Sequence, residues 1–162
     1  MILVALGANL DSPRFGPPQR TLEAALAALE GAGVRVAARS RWFRSAPVPA
    51  SDQPWFVNGV VRVESGLEPV DLLALLHGIE ADFGRVRSLA GAPRVLDLDL
   101  LDYEGRVMVQ GLVLPHPRLN ERAFVLLPLQ EVAPAWRHPS SGLSVDDLIA
   151  ALPAGQECQA IR

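Results

Sequence analysis

Apolar residues recur along the chain with two different periods, and these periods predict its strands and helices. Alternating or continuous apolar runs predict strands over residues 2–6, 34–44, 56–64, 95–103 and 107–109. A repeat of three to four residues predicts helices over residues 21–30, 70–83, 119–132 and 144–152, the third of them broken by Pro128. The order βαββαββαα is typical of an α+β sandwich and not of regularly alternating strands and helices.

Segments rich in Pro and Gly separate these elements and predict loops. They lie over residues 11–18, 45–54, 85–93 and 115–117. Gly7, Ala8 and Asn9 follow the first strand and predict a turn. This turn either simply ends the strand or lets the backbone approach a ligand closely, because Gly has no side chain.

The composition narrows the class of protein. Of the 162 residues, 49% are hydrophobic and 20% are charged, which is typical of a globular protein, and we expect one domain over residues 1–162. The net charge of −3 gives no general attraction for nucleic acid, and the absence of Lys excludes a Walker A loop. The lone Cys158 excludes an internal disulfide, and no apolar run reaches the roughly 20 residues of a membrane span. We therefore expect a reduced, cytoplasmic protein that binds neither nucleic acid nor membranes.

Two aspartates two residues apart are the most informative chemical feature. In a strand, Leu96, Leu98 and Leu100 would face a core, while Asp97 and Asp99 would share the opposite face. Their Cα atoms would lie about 6–7 Å apart, and two carboxylates at that separation repel each other unless a cation lies between them. Hard cations such as Mg²⁺ prefer such oxygen ligands. The alternative is a one-sided strand whose outer face is simply acidic.

Basic side chains surround this pair in the sequence and favour the metal interpretation. Arg85, Arg87 and Arg94 precede it, and His116, Arg118 and Arg122 follow it. Metal-binding carboxylates together with arginines suit a polyphosphate, whose charge needs cations on several sides. His116 lies between two prolines, so it forms either a rigid anion-binding corner or a structural contact.

Aromatic residues near the fourth predicted element indicate either a core or a flat binding surface. Trp55 and Phe56 precede Asn58, and Trp42 and Phe43 lie upstream. Aromatics near a strand start commonly belong to a core, but they also form a surface for a planar heterocycle. Asn58 has an acceptor and two donors with which to bind the edge of such a ring, and within an apolar strand it should be hydrogen-bonded.

Several longer segments carry a resemblance to a known family. They are residues 6–10, 43–45, 52–58, 80–87, 93–101, 114–118 and 122–126. The most specific are Pro-Arg-Val-Leu-Asp-Leu-Asp at 93–99 and Pro-His-Pro-Arg at 115–118. In order and spacing, the chain resembles the 6-hydroxymethyl-7,8-dihydropterin pyrophosphokinases of folate biosynthesis. This resemblance implies a ferredoxin-like α+β fold, an antiparallel sheet with helices packed on it, with extra short elements and mobile active-site loops.

The resemblance also implies an activity and a set of site residues. The activity is transfer of the β,γ-diphosphate of ATP, the co-substrate, to the hydroxymethyl group of the pterin, with release of AMP. The resemblance implies that Asp97 and Asp99 hold two Mg²⁺ ions and that Arg85 and Arg94 are catalytic. It implies ATP contacts for Glu80, Arg85, Arg94, His116, Arg118 and Arg122. It implies pterin contacts for Ser45, Ala46, Val48, Phe56, Asn58 and Phe124. We expect a monomer whose partners are these small molecules.

The chain departs from the family pattern in places, and two other functions compete. The segment 88–93 lacks an aromatic residue and is one residue shorter, and His77 stands where a nucleotide-contacting Gln is common. A non-catalytic nucleotide-binding relative and a Mg²⁺-dependent phosphohydrolase on the same fold are the alternatives. The complete set of Asp and Arg residues argues against the first, and the aromatic pocket with Asn58 argues against the second.

Overall fold

The computed structural model describes residues 1–85 and 93–161. Its strands are β1 (Ile2–Ala8), β2 (Arg35–Arg39), β3 (Phe43–Ser45), β4 (Phe56–Glu64), β5 (Asp97–Tyr103) and β6 (Cys158–Ala160). Its α-helices are α1 (Pro18–Gly31), α2 (Pro69–Asp82), α3 (Ala123–Val132) and α4 (Val145–Ala150), and a 3₁₀ turn covers Leu119–Glu121. No helix within the described ranges combines the length and the apolar character that crossing a membrane requires.

The strands form an antiparallel sheet in the order β5-β1-β4-β3-β6, and β2 pairs with the far part of β4. The continuous apolar run of β1 fits this arrangement, because β1 is central and buried on both faces. Helices cover both faces of the sheet. The predicted α+β class, with an antiparallel sheet and packed helices, is therefore confirmed.

Each face of the sheet has its own hydrophobic core. On one face, Val4 and Leu6 of β1 pack with leucines of α1 and α2. On the other face, Leu3 and Ala5 pack with α3 and α4. Alternation along β1 thus supplies both cores, and the buried faces of the helices close them. Asp97 and Asp99 lie on the second face, because they alternate along β5 with Leu98 and Leu100, which are buried in the first core.

A bulge divides β5 into two parts with different surroundings. Leu3 pairs with Asp102 and Val4 pairs with Leu100, so Leu101 is an extra residue. Leu101 joins the core under α3, and the neighbouring Asp102 carboxylate accepts a hydrogen bond from Trp136 Nε1 on the same side. Leu96, Leu98 and Leu100 are buried in the core under α1 and α2, as predicted.

The structure corrects several predicted elements. Residues 34–44 form two strands, because the Ser40 hydroxyl takes the place of a backbone carbonyl and accepts from Val60 N at 3.0 Å. Pro128 does not break α3, since the buried residues on both sides of it hold the helix together. Residues 107–109 form only an isolated bridge, Met108 with Leu114, and Gly7 lies within β1 and not in a turn. Strand β6 was not predicted.

Candidate active site

Three residues on adjacent strands form a row across the sheet. Gly7 of β1 pairs with Asp97 of β5 on one side and with Asn58 of β4 on the other. Because neighbouring strands lie about 4.8 Å apart, Asp97 and Asn58 are separated by roughly 10 Å. A Cβ atom at Gly7 would lie 2.9 Å from Asn58 Oδ1. Because Gly7 has no side chain, only backbone atoms lie between the Asp97 carboxylate and the Asn58 amide.

A cavity of about 510 Å³ opens over the Asn58 side of this row. All six residues predicted to contact the pterin line it: Ser45, Ala46, Val48, Phe56, Asn58 and Phe124. Asn58 is 4% exposed, and its Nδ2 donates to Ser45 Oγ at 2.6 Å, which satisfies the expectation that it be hydrogen-bonded. With one donor used and two aromatic side chains nearby, the cavity has the chemistry to hold a flat, polar-edged ring.

Arginines gather around the carboxylate at the other end of the row. Asp97 Oδ1 accepts from Arg85 Nη1 at 2.7 Å and from Arg94 Nη1 at 3.3 Å. Arg85 also donates to Glu80, and Glu80 accepts a further hydrogen bond from the backbone N–H of Leu98 at 2.7 Å. Arg85 is only 10% exposed and Glu80 only 2%, so their ion pair is buried and does not lie on the protein surface.

Asp99 lies beside Asp97 and has the most unusual electrostatics of the site. Burial, followed by the negative charge of Asp97, raises the pKa of Asp99 to about 7. The positive charge of Arg122 acts in the opposite direction. A carboxyl that is difficult to ionise beside a second carboxylate is a place where an added cation is favoured, because its positive charge offsets the repulsion between the two carboxylates and the lost solvation.

His116 is held as a neutral imidazole. Burial, followed by the positive charge of Arg122, lowers the pKa of His116 to about 4. Its Nδ1 accepts from the backbone N–H of Arg118 at 3.2 Å, which assigns the proton to Nε2. His116 can therefore donate one hydrogen bond to an anion at neutral pH without adding positive charge.

Asn9 is a residue whose role the sequence did not reveal. It is buried at the end of β1, and its Nδ2 donates to Gln53 Oε1 at 2.8 Å and to the carbonyl of Pro54 at 3.0 Å. Its Oδ1 accepts from the backbone N–H of Arg94 at 2.8 Å, and the Arg94 carbonyl accepts from Asn9 N. Asn9 thus fixes the backbone of Arg94 and the segment before Phe56 to the same strand end.

The sequence also gave no sign that residues 153–157 line the cavity. Pro153, Ala154, Gly155, Gln156 and Glu157 form one of its walls. They are placed there by β6, which pairs with β3, and by a hydrogen bond from Ala46 N to the Glu157 carbonyl at 3.0 Å. A three-residue strand has too short a pattern to be seen in the sequence.

Three of the six residues predicted to contact ATP line the same cavity: Arg94, Arg118 and Arg122. Asp97 lines it as well, and Arg85 and Asp99 lie next to Asp97. Glu80 lies beneath Arg85 and supports it. His77 is exposed on α2, and its contact with the nucleotide stays a prediction. The predicted mobile segment 88–93 lies, apart from Pro93, outside the described residues.

Comparisons with known proteins agree on one family. The sequence model of the 7,8-dihydro-6-hydroxymethylpterin-pyrophosphokinase family matches residues 3–134. The chain is 42% identical over 154 residues to the 2-amino-4-hydroxy-6-hydroxymethyldihydropteridine pyrophosphokinase of Pseudomonas aeruginosa, covering 94% of this chain and 91% of that protein. It is 42% identical over 149 residues to the protein of the same name from Synechocystis, covering 91% and 73%. It is 50% identical over 103 residues to that from Methylorubrum extorquens, covering 63% and 65%.

Proposed function

Because the chain belongs to the 7,8-dihydro-6-hydroxymethylpterin-pyrophosphokinase family, we propose that its cavity binds the pterin and that the cluster around Asp97 binds the ATP phosphates. The enzyme transfers the pyrophosphoryl group of ATP to hydroxymethyldihydropterin in folate synthesis, as an ATP-dependent diphosphotransferase. The assignment of residues to each substrate is our proposal, and it agrees with the prediction from the sequence.

The row Asp97–Gly7–Asn58 is the observation that supports this assignment most strongly. Transfer requires the hydroxymethyl oxygen of the pterin to reach the β-phosphorus of ATP, so the two substrates must meet over a short distance. Asn58 at one end of the row suits the ring edge, and Asp97 at the other end suits the charged donor. Gly7 between them leaves room for the reacting groups, since any side chain there would press against Asn58.

The donor set around Asp97 and Asp99 fits Mg²⁺. Both groups are carboxylates, which hard cations prefer, and the raised pKa of Asp99 indicates a place that gains from added positive charge. Within residues 1–85 and 93–161, no cluster of three or more His, Cys, Asp or Glu suits a metal, so most ligands would come from phosphate oxygens and water. We propose that Asp97 and Asp99 hold the two ions of the sequence-based prediction. Mg²⁺, when bound, neutralises phosphate charge and orients the donor for in-line attack.

The basic residues supply the remaining electrostatics. Arg85 and Arg94 contact Asp97 directly, so their guanidinium groups lie where phosphate oxygens would approach. Arg118 and Arg122 line the same cavity, and His116 offers its Nε2–H beside them. Rigid, charged donors of this kind stabilise negative charge as it develops on the transferred group and on AMP. The attacking group is a primary alcohol, so positioning and charge stabilisation account for most of the rate.

Product analysis tests the reaction, and two substitutions test the site. AMP that forms only when the dihydropterin is present indicates transfer, inorganic phosphate that forms without it indicates a phosphohydrolase, and no turnover indicates a binding protein. Asn58→Ala should weaken binding of the dihydropterin by roughly 1–3 kcal/mol, because the edge of a buried ring loses its partner, and should leave ATP binding nearly unchanged. Gly7→Ala should do the same, because its Cβ would lie 2.9 Å from Asn58 Oδ1 and displace that amide.

Asn120→Ala is the matched control, since Asn120 is exposed on the 3₁₀ turn. Calorimetric titration of each substrate separately, with melting curves for every variant, gives the comparison. Equal weakening of both substrates in Asn58→Ala and Gly7→Ala would contradict the assignment of the Asn58 side of the row to the pterin.

A further inference from the structure

The side chain of Gln156 binds the backbone on both sides of Arg122. Its Oε1 accepts from Ala123 N at 2.9 Å, and its Nε2 donates to the Glu121 carbonyl at 2.7 Å. One amide thus satisfies the carbonyl before Arg122 and the N–H after it, as a neighbouring β-strand would. The N–H of Ala123 is the first donor of α3, and Arg122, the N-cap residue, provides no side-chain cap. Gln156 therefore serves as the cap of this helix from a distant part of the chain.

The segment that carries Gln156 is itself anchored to the opposite wall of the cavity. Ser45 pairs with Cys158 and Phe43 with Ala160, and Ala46 N donates to the Glu157 carbonyl. Ile161 N donates to the Trp42 carbonyl at 2.8 Å. These bonds belong to the strand that presents Ser45 to Asn58. The segment from Gln156 to β6 thus connects two walls of the cavity: the strand that carries Ser45 and the start of α3.

Arg122 lies between the two peptide groups that bind Gln156, and its side chain is close to charged and aromatic groups. Arg122 is partly buried, its guanidinium lies 5.4 Å from the centre of the Phe124 ring, and its charge acts on both Asp99 and His116. Burial lowers the pKa of Arg122, because its charged guanidinium loses solvation there. The backbone of Arg122 must therefore hold the guanidinium close to groups that stabilise its charge. A small rotation of the Arg122 peptide groups would move the guanidinium away from the carboxylates and away from Phe124.

We infer that Gln156 is a positioning residue for the transfer reaction, acting through Arg122 and not through contact with the reacting atoms. This inference rests on the proposed role of Arg122 in binding the phosphates. The simpler alternative is that Gln156 only caps α3 and contributes to stability, as any helix cap does. The two possibilities differ in whether the effect of Gln156 on catalysis depends on the presence of Arg122.

A double-mutant cycle between Gln156 and Arg122 separates these possibilities. Gln156→Ala should lower kcat/KM for the dihydropterin about tenfold and Arg122→Ala about a hundredfold, while the double mutant should match Arg122→Ala within about twofold. Gln156→Met keeps the length of the side chain and removes both hydrogen bonds, so it should behave as Gln156→Ala does. Gln159→Ala, an exposed position on β6, is the control that leaves activity unchanged. Rates are measured at a temperature where every variant is on the native baseline of its melting curve.

Each other outcome has a defined meaning. A tenfold loss from Gln156→Ala that persists in the Arg122→Ala background would overturn the inference, because Gln156 would then act independently of Arg122. A lower melting temperature with unchanged kcat/KM in Gln156→Ala and Gln156→Met would reduce Gln156 to a helix cap. An Arg122→Ala variant with unchanged kcat/KM would instead refute the proposed role of Arg122, and this inference would fail with it.

Discussion

Aspartates lie at both ends of β5, and their surroundings differ: Asp102 is buried, whereas Asp97 and Asp99 are partly exposed. Beyond the bulge, Asp102 is 3% exposed and accepts from Trp136 Nε1 at 2.7 Å and from Gly105 N at 3.0 Å. Before the bulge, Asp97 and Asp99 face each other and the charges of several arginines. At one end of the strand, an aspartate thus accepts hydrogen bonds from neutral donors. At the other end, two aspartates repel each other and lie close to positively charged arginines.

We propose that this difference separates a structural carboxylate, Asp102, from the functional carboxylates Asp97 and Asp99. Both donors of Asp102, Trp136 Nε1 and Gly105 N, belong to the fold itself, so this carboxylate is hydrogen-bonded without any ligand. The charge of Asp99 is compensated poorly within the protein, which leaves a free energy available to an incoming cation. We therefore expect substitutions at the Asp102 end to alter stability and substitutions at the Asp97 end to alter activity.

The largest effect should come from the Asp97 end. Asp97→Asn and Asp99→Asn should each lower the rate of AMP formation about a thousandfold, or about 4 kcal/mol, because each removes a proposed metal ligand. Both variants should keep the native fold. Rates of AMP formation and thermal melts measure the two quantities. Asp82→Asn makes the same chemical change at an exposed position and should leave the rate unchanged. If either variant kept more than about a tenth of the parent rate, we would withdraw that ligand.

The two arginines that contact Asp97 should both affect activity, and Arg85 should affect stability as well. Arg94→Ala should lower kcat by about a hundredfold, or 2.7 kcal/mol, with a small change in the dissociation constant for MgATP, because an interaction made mainly in the transition state acts on kcat. Arg85→Ala should lower kcat similarly. It should also destabilise the protein by about 3 kcal/mol, because the buried Glu80 carboxylate loses its ion pair with Arg85. Single-turnover rates, equilibrium ATP binding and melts are needed. An Arg94→Ala variant that lost ATP affinity at an unchanged chemical rate would make Arg94 a ground-state anchor.

At the other end of β5, a moderate effect on stability alone is expected. Asp102→Asn leaves one of the donors, Trp136 Nε1 or Gly105 N, without its acceptor, which should cost about 1–3 kcal/mol. For a chain of this size, each kcal/mol lowers the melting temperature by about 2–4 °C. The rate of AMP formation below the transition should match that of the parent. A loss of rate in the folded variant would show that the two ends of the strand are coupled.

The smallest effect is a pH dependence of stability without Mg²⁺. The pKa of Asp99 is raised in the folded state, so the unfolded chain releases this proton first as pH increases from about 4 towards 7. Folding stability is therefore lost across this window, and the loss is complete above the folded pKa. Asp99→Asn removes the penalty, so it should melt a few degrees above the parent at pH 8 and close to it at pH 4. Melts in EDTA across this range measure the difference, and a constant difference would argue against a raised pKa.

Local patterns were sufficient for the parts of the fold that bury regular faces. The period of β1, α1, β4, α2 and β5 is visible because each element contributes a repeated apolar face to a core. The pair Asp97 and Asp99 was visible for the same reason, since their polarity interrupts an alternating strand. These features depend on residues close together in the sequence.

Features that depend on distant partners were not visible. The contacts of Asn9 join residues 44 and 85 positions away, so nothing in residues 7–10 distinguishes it from an ordinary turn residue. Strand β6 exists only because β3 offers an unpaired edge, and the position of Gln156 follows from that pairing. Pro128 was misinterpreted because burial of its neighbours, which the local rule ignores, compensates for one missing hydrogen bond.

The late position of β6 in the sequence has a consequence for synthesis on the ribosome. The central strands β5, β1 and β4 have all left the exit tunnel before residues 153–160 are made, so the sheet can assemble while one wall of the cavity is still missing. Only when residues 158–160 pair with β3 does Gln156 reach the peptide groups around Arg122. A nascent chain can therefore pair its central strands before residues 153–160 complete the wall of the cavity and bring Gln156 to Arg122.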